Sequence, residues 1–364
     1  MFESKFLKTV LLAAVIVGGI WLLANRDQLS QPDDVMELVS DKWNQWTSGS
    51  DEQPTDPNQP LPTRPDAVAA PGTTTQSQQR VPSQFASHRQ PAGRVQGVIR
   101  IASFRLNPNV AHLRSFEPIH MMSEICRQYD IVVLQNIDRN DSTWLKSVTD
   151  QMNIAGAVGT KNRPALPNGK LADYVYITDR SKRDGRSQTA MIYNEETVQL
   201  DQSRWYLVDD PDQVFQVNPM VAWFRALGAA PENQFTFNVV SVEIDSLRPD
   251  KELVQLGLLM RAVRNDGRGE DDVIIVGDFQ TDDRGLEVVR NQAGLAWIVS
   301  RQATTVKGDR QFDNIVFSEP ATLEFTGRGG VVEFHNLFGL QLTDALSVSD
   351  RLPVWAEFSI EESY

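Results

Sequence analysis

From residue 98 onward the chain keeps switching between two hydrophobic periods. Short runs rich in Val, Ile, Phe and Tyr alternate with longer stretches whose apolar residues recur every three or four positions. The runs VIRIASF (98–104), IVVLQN (131–136), DYVYI (173–177), TAMIY (189–193), VQLDQSRWYLV (198–208), FTFNVVSVEI (235–244), DVIIVGDF (272–279), FDNIVF (312–317) and PVWAEFSI (353–360) read as strands. Residues 116–129, 142–152 and 250–265 read as helices, the last with an apolar stripe of Leu253, Leu256, Leu259, Met260 and Val263. So many strands need two sheets to bury one another's faces, with helices covering the outside, which is an α+β architecture. No sequence repeat of 20 to 50 residues accompanies the pattern.

Composition narrows the functions open to such a chain. Of 364 residues, 41% are apolar, enough for a full core. The 48 acidic and 35 basic side chains leave a formal charge of −13. Affinity for a phosphate backbone comes from Lys and Arg releasing counterions, so long nucleic acid is a poor partner for this surface. A single cysteine, Cys126, excludes an intrachain disulfide framework and a Cys-based zinc site, and reads as a small buried residue on a helix.

The first 95 residues have a different character. Residues 6–24, FLKTVLLAAVIVGGIWLLA, make an apolar run that as a helix spans about 28 Å, close to a bilayer core. Residues 1–26 are therefore expected to form an N-terminal membrane anchor, with a cleaved signal sequence and a secreted product as the alternative. Lys5 precedes the run and Lys8 stands in its first turn, which places the amino terminus in the cytoplasm and the rest of the chain on the outer side of the cytoplasmic membrane. Residues 27–95 read as a disordered tether rich in Pro, Gln, Ser and Thr, with a short amphipathic helix at 33–46.

Five segments in residues 96–361 carry a resemblance: IRIASFR (99–105), YDIVVLQN (129–136), VIIVGDFQTD (273–282), QFDNIVF (311–317) and VSDRLPVWAEF (348–358). In this order they resemble the endonuclease/exonuclease/phosphatase superfamily, whose pattern is a strand ending in Asn, then D-I-V-x-L-Q-E, G-D-F-N, a strand opening Y-D, and S-D-H-x-P. The resemblance implies the deoxyribonuclease I-like fold, a four-layer α/β/β/α sandwich of two packed mixed sheets. It also implies a phosphoesterase chemistry in which Mg²⁺ or Mn²⁺, held by the Glu of L-Q-E and the Asp of S-D-H, stabilises charge on a phosphoryl group.

Measured against that pattern, the scaffold is kept and the chemistry altered. Asp278, Asp313 and Asp350 match the three aspartates. Asn136 stands at the metal-binding Glu, Arg105 at the strand-ending Asn, Gln280 at the Asn of G-D-F-N and Arg351 at the His of S-D-H. A second His of deoxyribonuclease-like members falls on Glu243, and its Glu partner near Ser187. Metal ligation would thus rest on Asp350 and Asn136, and a neutral amide removes a charge on which a hard cation depends. A guanidinium stays protonated and cannot serve as a general acid. Asp278, Asp313, Asp350 and Glu243 should meet in one cleft, with Arg105 and Arg351 as internal counter-ions in place of a metal.

Two functions follow from this reading. One is a catalytically silent, membrane-tethered binding or scaffolding module, for which no cofactor is expected and no particular protein partner is singled out. The other is a divalent-metal-dependent phosphoesterase with a remodelled site, or one whose Arg105/Arg351 pair takes an anionic, phosphate-bearing ligand. Gly327–Gly330 lack a following Gly-Lys-Ser/Thr and are expected to form a loop. Trp205, Trp223 and Phe224 are expected to pack on a sheet.

Overall fold

The computed structural model describes residues 86–87, 96–107, 116–138, 143–154, 172–178 and 187–363. Among them the chain forms β1 (Ala86–Ser87), β2 (Val98–Arg105), α1 (Phe116–Cys126), β3 (Ile131–Asp138), α2 (Thr143–Met152), β4 (Tyr174–Thr178), β5 (Ser187–Asn194), β6 (Val198–Leu207), β7 (Met220–Ala226) and β8 (Thr236–Glu243). There follow α3 (Pro249–Leu253), α4 (Leu256–Arg264), β9 (Val273–Asp278), α5 (Asp283–Ala293), β10 (Leu295–Trp297), β11 (Asp313–Ser318), β12 (Phe325–Val331), α6 (Phe334–Leu337), α7 (Leu342–Val348) and β13 (Val354–Ser359).

The strands assemble into two mixed sheets, in the orders β1-β12-β13-β2-β3-β5-β4 and β10-β11-β9-β8-β7-β6. Each has a parallel pair inside it, β2 with β3 and β8 with β9, flanked by antiparallel neighbours. Strand β9 shows why the layers form: all six of its residues are buried, and successive side chains serve opposite faces. Ile274 and Val276 join Ile101, Phe237 and Ile315 in the larger core, while Val273 and Ile275 pack in a second core with Leu256, Leu259, Met260 and Val263 of α4 and with Leu286 and Val289 of α5. On the other sheet, Met122, Ile125 and Cys126 of α1 and Leu145 and Val148 of α2 complete the larger core. The four-layer α/β/β/α sandwich is therefore the fold of residues 98–359.

Cys126 is buried on α1, and burial pushes its thiol up to about 12, which keeps it an unreactive packing group. Trp223 and Phe224 are buried on β7, and Trp205 is partly buried on β6. Two local expectations are corrected. Gly327–Gly330 form part of β12 rather than a loop; at Gly329 the strand lies too close to its neighbours for a side chain, since a Cβ there would stand 2.5 Å from Ile298 Cγ2 and 2.7 Å from the carbonyl oxygen of Trp355. The helix expected over 250–265 is two helices, because Gln255 N–H bonds to Glu252 O at 3.0 Å in a tighter turn. Glu252 sits at that turn with its buried carboxylate accepting the N–H groups of Gln216 and Asp245.

Helix α5 had no periodic signal, since few of its residues are buried, yet its ends carry ordinary stops. Asp282 caps the first turn by accepting from Arg284 N–H, and Gly294 closes the last with φ 64°. The apolar run at 6–24 and the helix expected at 33–46 lie outside the described residues, as does most of 27–95. Among the described residues, no helix is long and apolar enough to cross a membrane.

Candidate active site

Strand register alone builds the acidic half of the site. Glu243 of β8 pairs with Asp278 of β9, and Asp278 pairs with Asp313 of β11, so three acids stand side by side across neighbouring strands. They share the face that carries Val276 and Ile315 into the core between the sheets. Like charges directly opposite one another repel, and water cannot relieve them here: Asp278 is 0% and Asp313 1% exposed.

The opposite sheet supplies the compensation. Arg105 ends β2 and reaches across with Nε 3.1 Å from Asp278 Oδ2 and 3.8 Å from Glu243 Oε1, while one terminal nitrogen lies 3.2 Å from Asp350 Oδ1. Arg351, just before β13, places Nε 3.3 Å from Asp313 Oδ2, one terminal nitrogen 3.4 Å from Asp278 Oδ2 and the other 2.7 Å from Asp350 Oδ2. Its guanidinium also lies over the ring of Phe312, 4.4 Å from the centroid. The structure thus brings together Arg105, Glu243, Asp278, Asp313, Asp350 and Arg351.

Two residues in left-handed backbone frame this network. Asn136, at φ 60°, occupies the register shift between β3 and β5; its N–H donates to Glu243 Oε2 at 3.2 Å and its side-chain amide donates to Leu106 O at 2.8 Å. Gln280, at φ 50°, folds back on Asp278, with its N–H 3.1 Å from Oδ1 and its amide nitrogen 2.7 Å from Oδ2. Ser187 begins β5, and its side chain lies outside the described residues.

Electrostatics follow from the burial. Burial raises the Asp278 carboxyl above its ordinary range even against the pull of Arg351 and Arg105. Asp313 goes further: burial and then the charge of Asp278 push it well above the ordinary value, with Arg351 and a hydrogen bond from Thr304 opposing. Burial works against the Arg351 charge, but Asp278, Asp313 and Asp350 outweigh it and hold that guanidinium more firmly protonated.

Some supports carry no chemical signature in the sequence. Thr304 donates to Asp313 Oδ2 at 3.0 Å and accepts the N–H groups of Phe312 and Asp313. Ser349 donates to Arg105 O and accepts from Arg351 N–H, coupling the two arginine-bearing segments. Both are single hydroxyls in loops, visible as site residues only once the sheets are assembled.

The divalent ion that the resemblance implies does not fit this arrangement. A hard cation needs several oxygens around one small space. Among the described residues, the acid trios whose oxygens lie mutually within 4.8 Å are Glu270, Asp271, Asp272 and Asp272, Glu324, Glu362; neither contains Glu243, Asp278, Asp313 or Asp350. Two guanidiniums stand between those four carboxylates instead.

The two-sheet sandwich, with its acid row at one end of β8, β9 and β11, defines a deoxyribonuclease I-like domain. No family model matches the sequence. The chain is 26% identical to deoxyribonuclease-1-like 1 of Bos taurus over 262 residues, covering 67% of this chain and 75% of the relative. It is 24% identical to deoxyribonuclease-1-like 2 of Homo sapiens over 267 residues, covering 64% and 83%. By sequence and by fold, the chain is thus similar to deoxyribonuclease-1-like proteins. Solved structures similar to it include a mannosyl-6-phosphatase of Bacteroides thetaiotaomicron, at 15% identity and TM-score 0.47 over 71% of this chain and 98% of that one. A humanized D. rerio TDP2 aligns at 12% identity and TM-score 0.47 over 72% of this chain and 100% of that one.

Proposed function

We propose that this chain is a catalytically silent deoxyribonuclease I-like domain that works as a binding or scaffolding module, held at the outer face of the cytoplasmic membrane by residues 6–24 and extended from it by the residues from 27 up to β1, which already pairs with β12. The observation that carries the first part is the engagement of Arg105 and Arg351 with Asp278, Asp313 and Asp350. A metal-dependent phosphoesterase needs an ion to meet the substrate's charge, and guanidiniums among the carboxylates repel one. Neither arginine can exchange a proton with a leaving group, so acid catalysis lacks a donor at the position of Arg351.

The mouth of the site is the place for a ligand. Asp350 is the open member, with its side chain 50% exposed, against 21% for Arg105 and 6% for Arg351. A phosphate-bearing ligand would approach Arg105 by displacing Asp350, exchanging one carboxylate for another anion of similar geometry. The formal charge of −13 favours a small anion over a long nucleic acid.

The test is a reversion. The variant Arg105→Asn/Asn136→Glu/Arg351→His restores the residue types of the superfamily pattern, and calorimetry should show saturable Mn²⁺ binding that it has gained over the parent. Equal binding by both chains at that site would favour a working phosphoesterase that keeps its ion through the three retained aspartates. The tether is tested separately by fractionation: the full chain should stay with membranes through high-salt and carbonate washes, and full release into the soluble fraction would rule out the anchor.

A further inference from the structure

At the other end of β9, about 20 Å from Asp278 at the strand's rise per residue, lies a second set of acids. Asp272 precedes β9, Glu324 precedes β12 and Glu362 follows β13, so three segments remote in sequence meet there. One oxygen from each lies within 4.8 Å of the other two. Asp272 and Glu324 are each 2% exposed, and Asp272 Oδ1 and Glu324 Oε2 are buried with no hydrogen-bond partner. Beside Asp272 stands Thr322, 3% exposed, whose Oγ1 also lacks a partner in hydrogen-bond geometry. The other oxygens are in use: Glu324 Oε1 accepts from Ser363 N–H at 2.6 Å and Glu362 Oε2 from Thr236 N–H at 3.2 Å.

The surroundings add negative charge and little to offset it. Glu270 accepts from Asp272 N–H and from the Trp223 indole, each at 3.0 Å, and Asp271 pairs with Arg264 at 3.3 Å. Among the described residues, no Lys or Arg forms an ion pair with Asp272, Glu324 or Glu362. Burial first, and the charges of Glu324, Glu270 and Glu362 with it, push Asp272 up to about 8 against the pull of the Thr322 hydroxyl, while Glu362 is raised to about 6, by burial first. Buried oxygens left without donors, facing one another, are what a cation would satisfy.

We propose that Asp272, Glu324 and Glu362, with Thr322 Oγ1, form a Ca²⁺ site that pins the C-terminal segment against the starts of β9 and β12. Calcium holds oxygens at about 2.4 Å, so any two of its ligands stand no more than about 4.8 Å apart, and it accepts the irregular mixture of carboxylate and hydroxyl found here. Magnesium demands a tighter octahedron and retains its waters. Nothing in this site depends on the reading given to the Arg105/Arg351 network.

The experiment uses the full chain, with calorimetry and thermal unfolding in CaCl₂ or in chelator. The parent should bind one Ca²⁺ saturably and unfold about 5 °C higher at a hundredfold excess over Kd. Asp272→Asn and Glu324→Gln should each weaken binding at least about tenfold. In chelator, Asp272→Asn should unfold no lower than the parent, because it removes buried repulsion, which separates loss of the site from loss of the fold. No thermal shift in millimolar Ca²⁺, or binding that survives Asp272→Asn and disappears in Asp350→Ala, would overturn the assignment.

Discussion

Arg105 Nε and Asp278 Oδ2 lie 3.1 Å apart although they belong to different sheets, one at the end of β2 and the other at the end of β9. This ion pair, with that of Arg351 to the same oxygen, makes the acid row across β8, β9 and β11 tolerable inside the sandwich. Arg105 comes from β2 and Arg351 from the segment just before β13, both on the sheet opposite the acid row.

Removing one cation from such a network leaves buried charge uncompensated. Arg351→Met should lower unfolding free energy by about 3 to 5 kcal/mol in a denaturant titration, and Arg105→Met by less, because its side chain is 21% exposed against 6% for Arg351. A loss for Arg351→Met below about 1 kcal/mol would mean the aspartates are already neutral without it.

Stability in chelator should fall as pH rises. Asp272 has its folded value raised from 3.8 to about 8, so the folded chain keeps a proton the unfolded chain releases. Its contribution is present below about pH 4 and is lost as pH rises toward 8; Glu362, raised to about 6, acts in the same direction, as does the raised Asp313. Denaturant midpoints at pH 5 and pH 8 check this, with the higher midpoint expected at pH 5 and a smaller difference in Asp272→Asn.

The glycine before Asp278 has a steric role. Gly277 has φ 154°, and a Cβ there would stand 1.9 Å from the carbonyl oxygen of Val242 on β8. Gly277→Ala should cost about 3 kcal/mol or more, or leave the chain insoluble, because backbone would have to move apart at the acid row. Urea unfolding of that variant beside Gly285→Ala, where Thr281 is the neighbour met, separates a backbone clash from a side-chain one.

Much of the sandwich was legible because its central strands are β-branched runs, and VIIVGD could not be read otherwise. Four strands escaped: Ala86–Ser87 and Leu295–Trp297 are too short to show a period, Phe325–Val331 is broken by glycines, of which Gly329 is crowded by Ile298 and Trp355, and Met220–Ala226 is buried throughout most of its length and so shows no alternation. In the site, charged residues at the positions of the superfamily pattern stood out. Thr304, Ser349 and Phe312 did not, since a hydroxyl or a ring acquires its role only through the partner placed beside it. The acids at 272, 324 and 362 were equally silent, being separated by tens of residues and joined only by the ends of three strands.

That Arg105 and Arg351 stand in place of a catalytic ion is tested most directly by Mn²⁺ calorimetry on the Asp272→Asn chain, in which the second acid cluster is disabled. No saturable heat up to millimolar metal is expected, because the carboxylates are already neutralised by guanidiniums. Saturable binding that disappears on adding Asp350→Ala would show the site to be a metal site after all.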